Sequence, residues 1–140
     1  MTFLIIINAF ILLLIALLHI YWVLGGTRFF KDALPTRVNG KFIFYPKPLI
    51  TFIVAIGLFL FALVTIGNLG IFDNFVRRTI ILYGTNGVGA IFLLRAIGDF
   101  HYIGFSKKVK ETQFAKKDTK IYTPLSLIIA ITSFTISIFS

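Results

Sequence analysis

The stretch FLIIINAFILLLIALLHIYWVL, residues 3–24, contains no Lys, Arg, Asp or Glu. It matches the roughly 20 helical residues needed to cross a hydrocarbon core of about 30 Å. Three more runs of this kind follow, at about 48–70, 76–98 and 122–140. Of the 140 residues 58% are hydrophobic and only 14% charged, well under the roughly 25% charged of soluble domains. Lipid offers no hydrogen bonds, so each run must satisfy its own backbone as a helix. The chain therefore reads as all-α, a four-helix transmembrane bundle forming one domain over 1–140. Its loops, 25–47 and 99–121, leave no room for a separate soluble catalytic domain. There is no cysteine, which removes disulfides, thiolate nucleophiles and thiolate metal sites.

The first run has no basic segment ahead of it and no small-x-small cleavage pattern near Trp22 and Gly25-Gly26, so it is expected to be a retained helix rather than a signal peptide. The last is expected to start at Thr123-Pro124, with Thr as N-cap and Pro at the first helical position. Its Thr132, Ser133, Thr135 and Ser137 can bond to helix carbonyls or across to a neighbour.

Basic residues set orientation. Loop 25–47 carries Arg28, Lys31, Arg37, Lys41 and Lys47; loop 99–121 carries Lys107, Lys108, Lys110, Lys116, Lys117 and Lys120. The 71–78 loop has only Arg77 and Arg78. With four spans the two basic loops share one side, expected to be cytoplasmic, and both termini lie outside. The net charge of +9 then serves topology and attraction to anionic headgroups, each basic residue near the surface contributing about 1 kcal/mol. Membrane lipids are thus the expected partners. Nucleic acid is not, because the loops lack the aromatic interleaving and fold signatures it requires.

Gly25-Gly26, Pro35, Asn39-Gly40 and Pro46-Lys47-Pro48 mark turns in the first basic loop. Between them, Lys41-Phe42-Ile43-Phe44-Tyr45 is apolar enough to cap the bundle or lie on the headgroups. Phe105 and Phe114 bracket a lysine cluster and are both expected to dip into the membrane surface. Gly84, Gly87 and Gly89 allow close helix approach, and Asn86, opposite Arg95 on the helical wheel, is assigned to another interface, with a second copy of the chain as candidate partner.

Arg95 is the charge nearest the interior of a span, about 5 Å below the expected boundary at Asp99. One reading has it snorkel into the headgroups. The other pairs it inside the bundle with Asp99, one helical turn on, with Tyr102 on the same face. At a similar depth on the first helix stands His19, sharing a polar stripe with Asn8 and Trp22. Trp22 also suits the interfacial aromatic belt.

His19-Ile20-Tyr21-Trp22 with Gly25-Gly26, Arg95-Ala96-Ile97-Gly98-Asp99-Phe100 leading to Gly104-Phe105, Phe114-Ala115, and Asp118-Thr119 before Tyr122-Thr123-Pro124-Leu125 together carry a likeness. The chain resembles, over nearly its whole length, a family of small four-helix bacterial membrane proteins classed as a domain of unknown function. The resemblance implies the four-helix fold and the bacterial cytoplasmic (inner) membrane, but no activity. Relatives often place cysteine near the start of the last helix; Ser126 stands here, which argues against thiol chemistry at that point.

His19, Arg28, Arg95, Asp99, Tyr102, Asp118 and Tyr122 gather at one end of the first, third and last helices. They suggest a basic pocket for an anionic headgroup or a small anionic ligand, with Arg95 as bidentate donor. An enzyme acting on a lipid or isoprenoid would use His19 as general acid–base and Asp99 or Asp118 to orient it, although no catalytic signature accompanies them. In a structural accessory subunit the same cluster would only lock the helices. His19 and His101 lack the spacing of a metal or haem site, and no cofactor is expected.

Overall fold

The computed structural model describes residues 1–140. Four helices are long and apolar enough to span a membrane: α1 (Thr2–Val23), α2 (Pro48–Gly67), α3 (Arg78–Ile97), and a final one formed by α4 (Gln113–Lys117), a π turn (Asp118–Tyr122) and α5 (Thr123–Phe139). A short 3₁₀ turn, Lys31–Ala33, lies in the first basic loop. The protein is an all-helical multi-pass membrane protein without strands; its one β-bridge, Thr36 to Phe42, closes the turn around Asn39-Gly40.

At most 33% of any span is enclosed by protein, so most apolar side chains face outward. Many of the inward positions are small or hydroxylated, among them Ala9, Ala16, Ala55, Ala62, Thr65, Thr85, Ala130 and Ser133. Lipid is as apolar as leucine, so close packing and interhelical hydrogen bonds hold membrane helices together. α1 packs along α2 and α3 along α5. The two pairs meet through Leu12, Ala16, Leu58, Ala62, Val88 and Ile129. Asn8 donates to Ser133 Oγ at 2.9 Å, tying α1 to α5, and Asn68 donates to Thr85 Oγ1 at 2.7 Å, tying α2 to α3. Gly84 meets Val64 and Gly89 meets Phe134 closely enough that a Cβ would crowd them, whereas Gly87 faces open space. Arg78 closes the end opposite the basic loops by donating to the carbonyls of Gly67, Asn68 and Ser140. Both basic loops lie at the other end and touch: Lys117 pairs with Asp32, and Tyr122 Oη donates to the Asp32 carbonyl at 3.4 Å.

Two expectations are corrected here. The last helix begins not at Thr123 but ten residues earlier at Gln113, where Thr112 Oγ1 accepts the Ala115 N–H as N-cap. Thr123 sits inside continuous helix (φ −68°, ψ −48°), its N–H donating to the Asp118 carbonyl across the π turn. Pro124 supplies no N–H and crowds an ordinary preceding turn, and the wider π turn accommodates it. Phe105 is exposed, but Phe114 is 3% exposed and packs on Tyr122 with ring centroids 6.1 Å apart. It faces the protein because α4 turns Phe114 and Ala115 inward.

Candidate functional site: an arginine-edged cavity

α3 ends at Ile97 because Gly98 adopts φ +94°, and the chain turns back on itself. Gly104, at φ +79°, lies against this turn; a Cβ on Gly98 would stand 1.7 Å from the Ile103 carbonyl oxygen. Only glycine fits such a contact. The loop is fastened to the end of α3 by the Phe105 N–H on the Ala96 carbonyl (2.8 Å) and the Ser106 hydroxyl on the Ile97 carbonyl (2.6 Å).

This turn separates Arg95 from Asp99. Once the helix stops, the one-turn spacing no longer places the two on a common face, and the pairing expected between them does not form. Asp99 is exposed, and its Oδ1 accepts the N–H groups of His101, Tyr102 and Ile103 at 2.7–2.9 Å. Partial burial pushes its carboxyl up, but the donors from Ile103, His101 and Tyr102 outweigh this and hold it below the ordinary carboxylate value. Asp99 is a loop-shaping group. Arg95 does not snorkel either: its Nη2 donates to Asp118 Oδ1 at 2.7 Å.

Asp118 is wholly buried at the start of the π turn. Its Oδ2 accepts Lys107 Nζ at 3.0 Å and the Gly104 N–H at 2.8 Å, and Lys107 also donates to the Gly104 carbonyl at 3.0 Å. The carboxylate thus joins α3, the glycine-braced loop and the last helix. Arg95 retains a second, buried nitrogen, Nη1, without a partner in the protein.

Arg95 also lines a cavity of about 580 Å³ between the helix pairs at the basic end. Its wall is mainly apolar, with Leu18, Val54, Leu58 and Phe92 among its members, and its polar groups include His19, Thr51, Tyr122 and Ser126. The volume falls within the roughly 300–1,000 Å³ of small-molecule pockets. His19 Nδ1 lies 2.8 Å from the Ile15 carbonyl. A carbonyl only accepts, so Nδ1 carries the proton and neutral His19 keeps Nε2 as an acceptor. Its orienting partner is thus a carbonyl and not a carboxylate. Trp22 sits 4.8 Å from His19 and donates Nε1–H to the Arg28 carbonyl at 2.8 Å. Phe30 abuts Trp22 and Tyr45, and Phe30, Phe44 and Pro46 form part of the cavity wall.

Of the residues singled out from sequence, His19, Arg95 and Tyr122 line the cavity, and Asp118 stands behind Arg95. Arg28 is exposed, contributing its carbonyl to Trp22, and Asp99 and Tyr102 lie in the loop outside the wall. His101 is exposed and meets Tyr102 edge-to-face. Sequence reasoning missed Lys107, which carries no signal distinguishing it from the exposed lysines beside it, and the Phe30 wall, whose aromatic lies in a turn-rich loop; Phe44 comes from the 41–45 segment read as apolar enough to cap the bundle.

No curated protein and no solved structure matches the chain. The family described as "Protein of unknown function (DUF3995)" matches residues 12–133, and the protein belongs to that family.

Proposed function

We propose that the protein binds an anionic amphiphile, an anionic lipid headgroup or a small anionic ligand with an apolar body, in the cavity edged by Arg95. The observation that carries this reading is Arg95, which lines a mainly apolar cavity and keeps a buried Nη1 without a partner in the protein. A buried donor left unpaired costs about 1–3 kcal/mol or more when charged, and a bound anion would satisfy it. Asp118 occupies only one guanidinium nitrogen, leaving the other for the ligand. In the same reading the membrane is the bacterial inner membrane, the basic end faces the cytoplasm and both termini lie outside, in keeping with the distribution of Lys and Arg.

Native mass spectrometry of the protein released from neutral detergent tests it. We expect one retained acidic amphiphile per chain, lost in Ala33→Trp, which fills the cavity and leaves the Arg95–Asp118 pair untouched. Wild-type protein carrying none, and showing no thermal stabilisation by added acidic lipid over zwitterionic lipid, would refute it.

A second reading, a structural subunit locked by its polar cluster, draws on Asp118, whose two oxygens are both satisfied within the chain. It predicts equal stability with and without acidic amphiphile.

A further inference from the structure

Building on the cavity reading, we infer that the ligand enters from the bilayer between α2 and the α3–α5 pair, and that it is a single-chain amphiphile whose head bears one negative charge.

The route follows from where the helices touch. Val64 meets Gly84, Ile81 meets Gly67, and Asn68 bonds Thr85. All of these lie at the end of the α2–α3 pair away from the basic loops. Towards the basic end, Ile50 and Val54 of α2 and Phe92 and Arg95 of α3 become cavity wall instead. Several wall residues are exposed: Ile50, Val54 and, on the π turn, Ile121. The α1 wall residues Ile15, Leu18, His19 and Trp22 are not. The opening therefore lies on the α2 side, at a level where the surrounding solvent is lipid. The loop above it, with Phe30, Leu34, Phe44 and Pro46 in the wall, presents apolar groups towards the aqueous side. An amphiphile already dissolved in the leaflet meets an apolar doorway, while a water-soluble anion meets an apolar roof.

The charge follows from the groups around Asp118. Arg95 and Lys107 bring two positive charges and Asp118 one negative, leaving a single positive charge uncompensated. Buried charges persist when they are paired. One negative charge on the ligand balances the set, whereas a dianion would overcompensate it. The remaining Arg95 nitrogen is the donor available to such a head, since neutral His19 offers only an acceptor that an ionised head cannot use, and the apolar wall takes the chain.

Trp22, the chain's one tryptophan, lines the cavity and reports on occupancy. The protein is reconstituted in phosphatidylcholine vesicles and titrated with dibrominated stearate, which quenches indole on contact. Competitors are then added: oleate, oleyl alcohol, hexadecyl phosphate held dianionic, and water-soluble butyrate. We expect saturable quenching that oleate reverses, with the alcohol and the dianion at least tenfold weaker and butyrate without effect at matched concentration. Arg95→Lys keeps a cation for Asp118 but removes the second guanidinium nitrogen, and it should weaken the saturable component about tenfold. Reversal by butyrate on equal terms would place the ligand in water and overturn the bilayer route, leaving the cavity reading standing. Reversal by the dianion as effectively as by oleate would overturn the single-charge assignment. Equal reversal by the alcohol would remove the anion from both readings, and no saturable quenching by any probe would refute the cavity reading itself.

Discussion

Replacing Asp118 by Asn keeps the side chain's shape and removes its charge. The carboxylate is wholly buried and holds Lys107, itself 5% exposed, at 3.0 Å and Arg95 at 2.7 Å. At an effective dielectric of about 20, two unit charges 3.0 Å apart attract by about 5.5 kcal/mol. Desolvation of both ions offsets much of this in the intact protein, but after substitution Lys107 remains buried without a counter-charge. Breaking one side of a buried pair typically costs about 3–5 kcal/mol. Arg95 adds less than Lys107, because its side chain is 31% exposed and can recover solvation. Asp118→Asn should therefore lose about 3–5 kcal/mol. Lys107→Met should lose less, since Asp118 keeps Arg95 and the Gly104 N–H. The double variant should fall short of the sum by about 1.5–3 kcal/mol, as expected of directly coupled sites. Reversible unfolding by a denaturing detergent in mixed micelles gives all three values. A loss below about 1 kcal/mol for Asp118→Asn, the range of exposed pairs, or strictly additive losses would refute the reasoning.

Three further outcomes are expected. Gly98→Ala should destabilise the loop by at least about 1–3 kcal/mol, from left-handed backbone strain and overpacking against the Ile103 carbonyl; Gly87→Ala, which meets open space, should be neutral or stabilising by up to about 1 kcal/mol, and thermal melts of the two compare them. Asp99 titrates below its ordinary value when folded, so its contribution to stability is complete above the unfolded value of about 3.9 and is lost as pH falls through the folded value; exchange of the His101, Tyr102 and Ile103 amides should quicken over that acid window and show no such step in Asp99→Asn. A double-mutant cycle on Asn8→Ala and Ser133→Ala should give a coupling near 0.6 kcal/mol and no more than about 1.7 kcal/mol, the range found for hydrogen bonds between membrane helices; zero coupling would mean that the α1–α5 bond does not persist in lipid.

Hydropathy and charge alone determined a great deal about this protein. Residues 3–24 and the three later runs could satisfy their backbones in lipid only as helices, and the parity of four spans put both lysine-rich loops at one end. Chain-local patterns also exposed Arg95 and His19 as polar groups out of place in a span, and Asp118 and Tyr122 joined them as polar groups at the same end of the helices. The faces of the helices were less legible. When the solvent is as apolar as the core, the outward side chains carry no contrast with the inward ones, and only scattered small and hydroxyl residues mark the packing side.

Partnership was decided by the tertiary structure. Helical spacing made Asp99 the natural mate of Arg95, yet that argument holds only while the helix continues. Gly98 ends it at φ +94°, and the carboxylate that reaches Arg95 comes from Asp118, 23 residues on. Lys107 and Lys108 are chemically alike and adjacent, and one is buried on Asp118 while the other is exposed. The π turn that aims Asp118 inward forms where Pro124 cannot follow an ordinary helical turn, with the buried Phe114 and Ala115 seating α4 ahead of it. A charge finds its partner through such long-range geometry, because a buried ion's energy depends on whatever lies within a few ångströms of it in space, and sequence separation does not enter Coulomb's law.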